Sequence, residues 1–481
     1  MAKGKVVKNY IYNTAYQLLL VVTPLITAPY IARVLGVTGV GIVNYAYSVV
    51  TYFVLFGTVG SSLFGQREVA YYQDDPVKRT SILKEITAFR MVTVSLAVVV
   101  YIFAVAKRSE YSSVYFYLIA ELIATAFDVS WFFQGLEDFK KTVIRNVIVK
   151  LAGIALIFIL VKSPEDVNKY AVCVTLPTLL GNLSLWAYLP KYTVKAPMSL
   201  KSTVKYIKPM FMLFIPQIAM EVYTVLDKTM LGQFASSVDE VGYYTYSQHI
   251  VKMLLQLITS LGVVMLPAMA NAFANKRDDE IVEMIGGSFN FTFILGCPMM
   301  FGIAGVAQNF VGWFYGAGYE PVGPLIMVIS PIILLIGIST ITGKQFLLPT
   351  KRQNIFTLSV VIGAVINFTL NLILIKRWDA VGASIATVIA EAAVTVTQLI
   401  AVAKHLPLKK YFKENFRYLI FSAVMFAAVF AVGQFIHGVL GTIVQVICGG
   451  AVYALLLLVT KDKTVYKYLN IVLDKIKGKN K

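Results

Sequence analysis

The chain has 481 residues, of which 58% are hydrophobic and only 14% are charged. A soluble protein of this length has about a quarter of its residues charged, and its cores cannot bury so much apolar surface. The composition therefore excludes an ordinary soluble enzyme and a disordered chain, and it indicates a protein that crosses a membrane many times. We attribute the net charge of +18 to basic loops that meet anionic lipid, not to nucleic-acid binding.

The first predicted span follows a basic N-terminus and continues to about Ile31. It is too long for the apolar part of a signal peptide and lacks a small-residue cleavage site, so we expect it to be retained. Cysteines and histidines number three each and are scattered along the chain. This pattern excludes a disulfide framework and a metal cluster, and no cofactor is expected.

Runs of roughly 20 apolar residues predict fourteen membrane-spanning helices, which makes the fold class an all-α polytopic membrane protein. The fifth run is short, and the last two are divided only by a weak break at His437–Gly438, so twelve spans is the alternative. In chain order the predicted spans cover residues 10–32, 41–63, 86–106, 114–133, 147–161, 170–189, 207–234, 242–269, 284–307, 322–347, 355–375, 381–403, 418–436 and 441–460.

The distribution of lysine and arginine predicts the orientation of the chain. With the N-terminus inside, the cytoplasmic segments carry 32 of these residues and the external segments 6, or 7 with Arg33. Cytoplasmic loops are the basic ones in membrane proteins, so both termini are predicted to be cytoplasmic. All the loops are short, and none is long enough to form a soluble domain.

The predicted spans fall into two groups of six followed by two more. We expect a first lobe over residues 1–190, a cytoplasmic linker over 191–206, a second lobe over 207–403, and two extra helices with a basic tail over 404–481. A faint repeat supports this division, because VGIVNYAYS (Val40–Ser48) and VGYYTYSQH (Val241–His249) occupy corresponding positions. Lobes of six spans each face the same way, as in a parallel transporter repeat.

Four segments resemble a known family. GVTGVGIVNYAYSVVTYFVLFGTVGSSLFGQREVA (Gly36–Ala70), FDVSWFFQGLEDFKKTVIRNVIVK (Phe127–Lys150), YTVLDKTMLG (Tyr223–Gly232) and INFTLNLILIKRWDAVGASIATVIAE (Ile366–Glu391) are similar to segments of Wzx-type flippases. These are polysaccharide transporters of the multidrug/oligosaccharidyl-lipid/polysaccharide exporter superfamily. The resemblance covers nearly the whole chain.

The resemblance implies a MATE-like fold with two six-helix lobes around a central cavity, and a transporter in the cell membrane, not an enzyme. The implied substrate is an oligosaccharide on undecaprenyl pyrophosphate, moved to the outer leaflet for capsule, exopolysaccharide or O-antigen synthesis by alternating access. The partners it implies are membrane lipids and, in assembly, a polymerase and a chain-length regulator. A cation-coupled small-molecule antiporter on the same fold is the alternative, although the first span lacks the carboxylate often found in drug exporters.

Three charged residues lie deepest in the predicted spans. Lys252 is about 15 Å from the start of its span, Glu391 is at a similar depth, and Glu221 is about 18 Å deep. A charge at mid-bilayer needs a cavity or a partner. One interpretation makes Lys252 a pyrophosphate contact, with the two carboxylates coupled to H⁺ or Na⁺. The other makes them a structural ion pair.

Charges near the predicted external ends of the first and seventh spans indicate a possible gate. If the two lobes are pseudo-symmetric, Arg33 faces Asp227 and Lys228 across the external opening, where a salt bridge would close the transporter. Extension of these side chains to the membrane interface is an equally simple interpretation.

Charges near the cytoplasmic ends of the third to fifth spans have a structural interpretation. We expect Arg90 and Lys150 to extend to the interface. Asp128 is deep enough to need a cation, and either basic residue would serve. A role of Asp128 in the cavity is the alternative.

Neutral polar residues complete the predicted site. Asn13 and Gln17 are four residues apart on the first span, and they either bind sugar hydroxyls or hold helices together. His249 is predicted to line the cavity. A catalytic histidine of a membrane enzyme is the less favoured interpretation.

Overall fold

The computed structural model describes residues 2–462 and Tyr466; for residues 2–18, 21, 200–202, 216, 219–223, 261–264, 266 and 267 it describes only the backbone. The described part of the chain is helical and contains no strand, which confirms the all-α fold class. It divides into two compact units. Unit 1 comprises Met1–Tyr246 and Asn367–Ala383, and unit 2 comprises Ser247–Ile366 and Ser384–Lys481. The lobe boundaries expected from the sequence stay a prediction.

Unit 1 contains eight complete helices and parts of two others. The helices that lie wholly within it are α1 (Ala2–Thr58), α2 (Ser61–Tyr71), α3 (Pro76–Tyr101), α4 (Ser112–Ala126), α5 (Ser130–Gly135), α6 (Phe139–Leu160), α7 (Val167–Trp186) and α8 (Leu200–Phe234). Helices α9 (Asp239–Ala274) and α13 (Gln353–Val402) belong to both units.

Unit 2 is built around α10 (Asp278–Phe314). The other helices wholly within it are α11 (Val322–Ile329), α12 (Ile332–Ser339), α14 (Leu408–Phe435) and α15 (Gly438–Val459). Helix α10 packs along both α14 and α15. The Gln445 amide of α15 donates to the backbone oxygens of Gly305 and Val429, at 3.2 and 2.9 Å. Such hydrogen bonds between helices compensate for the absence of a hydrophobic driving force in lipid.

Ten helices of the described part are long and apolar enough to cross a membrane. Two of them are broken inside, α1 at Gly36 (φ 67°) and α13 at Asp379 (φ 47°), and both breaks fall between predicted spans. Helices α14 and α15 are separated at the break predicted at His437–Gly438. Because α8 and α9 each include residues of which only the backbone is described, fourteen spans stays a prediction.

One predicted boundary is wrong. The fifth span is predicted to begin at Val147, but α6 begins at Phe139, because lysines and an arginine in its first turns do not prevent a helix from forming. The fourth and tenth predicted spans correspond to helical segments Ser112–Gly135 and Val322–Leu347, and each contains a break. The first break lies between α4 and α5, at Asp128, and the second lies at Pro331, because proline lacks the amide that an inner helical position needs.

The break in α13 is held by polar contacts within unit 1. Asp379 has a positive φ, which is strained for a residue with a Cβ. Its carboxylate accepts hydrogen bonds from the Ser236 amide (2.8 Å) and hydroxyl (2.9 Å), and the next amide, Ala380, donates to Glu240 at 3.0 Å. These bonds join the break to the α8–α9 connection and offset the backbone strain.

Candidate functional site

A buried carboxylate, Asp227 of α8, is the centre of a polar cluster inside unit 1. Its side chain is 5% exposed. The Tyr244 hydroxyl of α9 donates to one carboxylate oxygen through a short hydrogen bond, and the Asn371 amide of α13 donates to the other at 2.7 Å. The cluster therefore brings three helices together around a carboxylate in a segment predicted to cross the membrane.

Two asparagines extend this cluster along α13. The Asn371 amide nitrogen also donates to Asn367 Oδ1 at 3.1 Å, because residues four apart share one face of a helix. Both side chains are buried, and among the described atoms Asn371 Oδ1 and Asn367 Nδ2 have no hydrogen-bond partner. An unsatisfied buried polar group costs free energy. The cluster therefore contains one unused hydrogen-bond acceptor and one unused donor among the described atoms.

The neighbouring residues of α8 contact the second half of α1. Lys228 donates to Asn44 Oδ1 at 3.3 Å. The Thr229 hydroxyl is 2.9 Å from Ser48 Oγ and donates to the Tyr52 hydroxyl at 3.2 Å. Asp227 and Lys228, which the sequence grouped as one half of a gate, thus point to different partners.

Arg33, the expected other half of the gate, has an exposed side chain. The gate between Arg33 and the Asp227–Lys228 pair stays a prediction.

Close packing of two glycines explains how α1 and α9 approach one another in unit 1. A Cβ on Gly41 would lie 2.2 Å from the Val238 carbonyl oxygen, and a Cβ on Gly242 would lie 2.7 Å from the Val37 carbonyl oxygen. Each would also come within 3.5 Å of the other glycine's amide nitrogen. These glycines are the second residues of the two similar segments found in the sequence, so matching positions of the repeat touch.

A second buried polar cluster surrounds Arg90 of α3. Its side chain is 1% exposed and donates to Ser61 Oγ (3.0 Å), Ser62 Oγ (2.8 Å) and the Asp128 carbonyl oxygen (2.6 Å). The Asp128 carboxylate is 4.0 Å from the guanidinium. The expected extension of Arg90 to the interface is therefore wrong, because these acceptors satisfy the guanidinium inside the protein.

Asp128 has a second cation on its other side. Arg145 of α6 lies 3.8 Å from the Asp128 carboxylate. The sequence offers Lys150 as a possible partner of Asp128, and Arg145 takes that role. The Trp131 indole donates to the Asp128 carbonyl oxygen at 3.1 Å, and its ring lies under Arg90. This arrangement joins α3, α5 and α6 by ion pairs and supports the structural interpretation of Asp128.

Glu121 on α4 lies in a different environment, although it is only seven residues from Asp128. Its carboxylate accepts a hydrogen bond from the Tyr47 hydroxyl of α1 at 3.2 Å. Within the described part of the chain it has no cation within ion-pair distance. Glu121 in α4 thus has a phenol as its partner, whereas Asp128, just beyond the end of α4, has two cations.

The predicted residues of unit 2 are only partly brought together. Lys252 has an exposed side chain whose ammonium donates to Gln248 Oε1 at 2.6 Å, one turn earlier on α9. His249, the residue that follows Gln248, is half-buried. Glu391 is 9% exposed, and its carbonyl oxygen accepts from Thr395 at 2.8 Å. Their roles in substrate or ion binding stay predictions.

The side chains of Asn13, Gln17 and Glu221 lie outside the described residues. The sequence missed Asn367 and Asn371, although the signal was present as two asparagines four residues apart in an apolar run. It also grouped Tyr244 with aromatic residues of the cavity or core instead of pairing its hydroxyl with Asp227. The prediction of site residues rested mainly on charged side chains, and these neutral amides and this hydroxyl within the spans were therefore missed.

The helices define the class of protein, a multi-pass membrane protein with a MATE-like fold. The chain is similar to the lipid II flippase MurJ in an inward closed conformation, with a TM-score of 0.77 and 14% identity over 95% of this chain and 100% of that one. It is also similar to an inward-facing MATE multidrug resistance transporter of the MOP superfamily, with a TM-score of 0.64 and 11% identity over 81% of this chain and 96% of that one.

Sequence comparison identifies the family. The model of the family described as "Polysaccharide biosynthesis protein" matches residues 6–273, more than half of the chain, and the chain belongs to this family. A protein named "Putative O-antigen transporter" from Escherichia coli (strain K12) is 24% identical over 412 residues, 82% of this chain and 96% of that protein. The lipid II flippase MurJ of Bacillus subtilis (strain 168) is 26% identical over 262 residues, 49% of this chain and 48% of that protein. The resemblance to Wzx-type flippases of the MOP superfamily is confirmed.

Proposed function

We propose that this protein moves undecaprenyl-pyrophosphate-linked oligosaccharides from the cytoplasmic to the outer leaflet of the cell membrane. The observation that carries the proposal is the alignment with an O-antigen transporter over 96% of that protein's length. The fold shared with a lipid II flippase supports it, since both named activities concern lipid-linked sugars. The product would feed capsule, exopolysaccharide or O-antigen synthesis, in association with a polymerase and a chain-length regulator.

We further propose that transport by alternating access is coupled to H⁺ or Na⁺. The Asp227 cluster supports such a role, because its carboxylate is bound by a phenol and an amide and the nearby Asn371 Oδ1 is an unused acceptor. A proton or Na⁺ binding there would change the charge of the cluster and the hydrogen bonds that join α8, α9 and α13. Asp227 is therefore the favoured coupling residue, ahead of Glu391, Glu221 and Asp128.

The pyrophosphate needs a cation where it leaves water. Lys252 fits this requirement in unit 2, because its side chain is exposed and its ammonium lies on a helix predicted to cross the membrane. Lysine supplies charge-assisted hydrogen bonds to phosphate oxygens. Asn13, Gln17 and His249 are proposed to contact the sugar, and Arg33 and Lys228 to serve near the external opening.

The decisive experiment uses purified protein in proteoliposomes that contain a lipid-linked oligosaccharide with a fluorescent sugar. Translocation makes the label accessible to a quencher on the far side. We expect translocation by the wild-type protein and its loss in Lys252→Ala, with Lys404→Ala, an exposed lysine in a loop of the same unit, as the matched control. Failure of the wild-type protein to move any lipid-linked sugar would contradict the proposal.

A small-molecule antiporter is the second candidate, and the shared fold with MATE multidrug transporters favours keeping it. The same proteoliposomes distinguish the two. Accumulation of a cationic dye against a proton or sodium gradient, without lipid-linked sugar, would establish the antiporter and overturn the flippase.

A further inference from the structure

A groove of about 640 Å³ lies between α6 and α7 of unit 1. Its walls are apolar along most of its length and include Ile148, Leu156 and Leu180. Ile148 and Leu180 are more than half exposed, so the groove opens on an apolar surface of two helices predicted to cross the membrane. Lipid is the solvent for such a surface.

The floor of the groove is formed where the two helices touch. A Cβ on Gly181 of α7 would lie 2.2 Å from Val149 Cγ2 of α6 and 3.0 Å from Arg145 Cδ. Only glycine permits this approach. The side chains on either side of the contact line stand apart and leave a narrow channel between the helices.

One end of the groove is positively charged. Its lining there includes three cations, Lys140, Lys141 and Arg145, and one carboxylate, Asp138, which leaves a formal charge of +2. Lys141 is already bonded to Asp138 and to the Tyr192 hydroxyl, and Arg145 lies beside Asp128. Lys140 is exposed and has no ion pair or hydrogen bond within the described part of the chain. It is the cation of the groove that remains available to a ligand.

The apolar part of the groove is about as long as one leaflet of a bilayer is thick. Its lining on α6 runs from Ile144 to Leu156, twelve residues or about 18 Å at the rise of a helix. The hydrocarbon core of a bilayer is about 30 Å thick, so this part spans a little more than half of it. By the distribution of basic residues, the charged end belongs to the cytoplasmic leaflet.

The geometry points to a binding site for an anionic glycerophospholipid, with its phosphate at Lys140 and one acyl chain in the apolar groove. Basic pockets between membrane helices on the cytoplasmic side bind anionic head groups. An undecaprenyl phosphate has the same head chemistry, but its chain is much longer than the groove. This inference does not depend on the proposed function.

The test is native mass spectrometry of the full-length protein titrated with dioleoyl phosphatidylglycerol or dioleoyl phosphatidylcholine. We expect phosphatidylglycerol to be retained preferentially. Lys140→Gln should weaken its retention about fivefold and leave that of phosphatidylcholine unchanged. Lys162→Gln, which alters an exposed lysine just beyond the other end of α6, should change neither.

A second variant tests the acyl-chain part of the groove. Ala152→Trp should fill the channel and weaken retention of both lipids. Equal retention of the two lipids by the wild-type protein, or an unchanged preference in Lys140→Gln, would overturn the inference. Displacement of phosphatidylglycerol by inorganic phosphate alone would reduce the site to a free-anion site, and displacement at lower concentrations of undecaprenyl phosphate would assign it to the carrier instead. Either result would overturn the assignment to a glycerophospholipid.

Discussion

Unit 1 contains two aspartates whose carboxylates interact with different kinds of partner. Asp128 lies near two guanidinium groups, at 4.0 and 3.8 Å, whereas Asp227 accepts hydrogen bonds from a tyrosine hydroxyl and an asparagine amide. The two guanidinium groups join α3 and α6 to the connection that carries Asp128. The hydroxyl and the amide join Asp227 to α9 and α13. We expect a structural role for Asp128 and a coupling role for Asp227.

The largest effect is expected at Arg90. Arg90→Leu removes a buried cation, so Asp128 keeps only Arg145 as an ion-pair partner, and the hydroxyls of Ser61 and Ser62 lose their donor. Breaking a buried ion pair from one side costs about 3–5 kcal/mol of unfolding free energy. Thermal unfolding in detergent measures the loss, with Lys150→Gln, a half-buried lysine in the same unit, as the control. Equal stability of the two variants would contradict the structural interpretation.

In contrast to Arg90→Leu, Asp227→Asn should change stability little and transport strongly. An asparagine keeps the shape of the side chain and one acceptor, so the unfolding free energy should change by only about 1 kcal/mol. Transport should fall by a factor of about 5–150, the range of coupling free energies, and lose its dependence on pH or sodium. Translocation rates across a pH and a sodium series measure this. A normal dependence in the variant would remove Asp227 from the coupling step.

Glu121→Gln sharpens the comparison with a third carboxyl group. Glu121 has a phenol and no cation beside it in the described part of the chain, so a neutral amide should replace it with a change of at most about 1 kcal/mol. The paired variant Tyr47→Phe should have a similar small effect. Unfolding measurements in the same detergent test both. A loss as large as that of Arg90→Leu would show that Glu121 is charged and paired.

The smallest effect concerns Asp166, in the connection before α7. The Lys169 ammonium, and then the amides of Lys162 and Ser163, lower the pKa of this carboxyl from 3.8 to about 2. Its stabilising contribution is therefore complete above about pH 4 and is lost as the pH falls through 2. Hydrogen exchange in residues 162–167, corrected for intrinsic rates, should rise over that interval. Asp166→Asn should show no such rise.

The fold followed from the sequence because lipid imposes a simple rule. Apolar runs long enough to cross a bilayer must be helical, and the breaks at Gly36, Asp379 and His437–Gly438 fell between predicted spans. Boundaries such as Val147 were wrong because hydropathy reports where lipid begins. It does not report where a helix begins, and charged turns of α6 extend beyond the apolar run.

The candidate site was predicted less completely, for a physical reason. Depth along a span identified Asp128 as a group that needs a partner, but depth gives no rotation about the helix axis. Rotation decides that Arg145 approaches Asp128, and that Asn371 donates to Asp227. Such choices depend on how helices pack, and the one local sign of them was the four-residue spacing of Asn367 and Asn371.

The contact of Gly41 with Gly242 has a consequence for how the two similar segments vary. Because equivalent positions meet each other, the contact is self-complementary, as at the two-fold axis of a homodimer. A methyl group added on either side pushes against the opposite backbone in nearly the same way. Gly41→Ala and Gly242→Ala should therefore lower the free energy of unfolding by nearly the same amount.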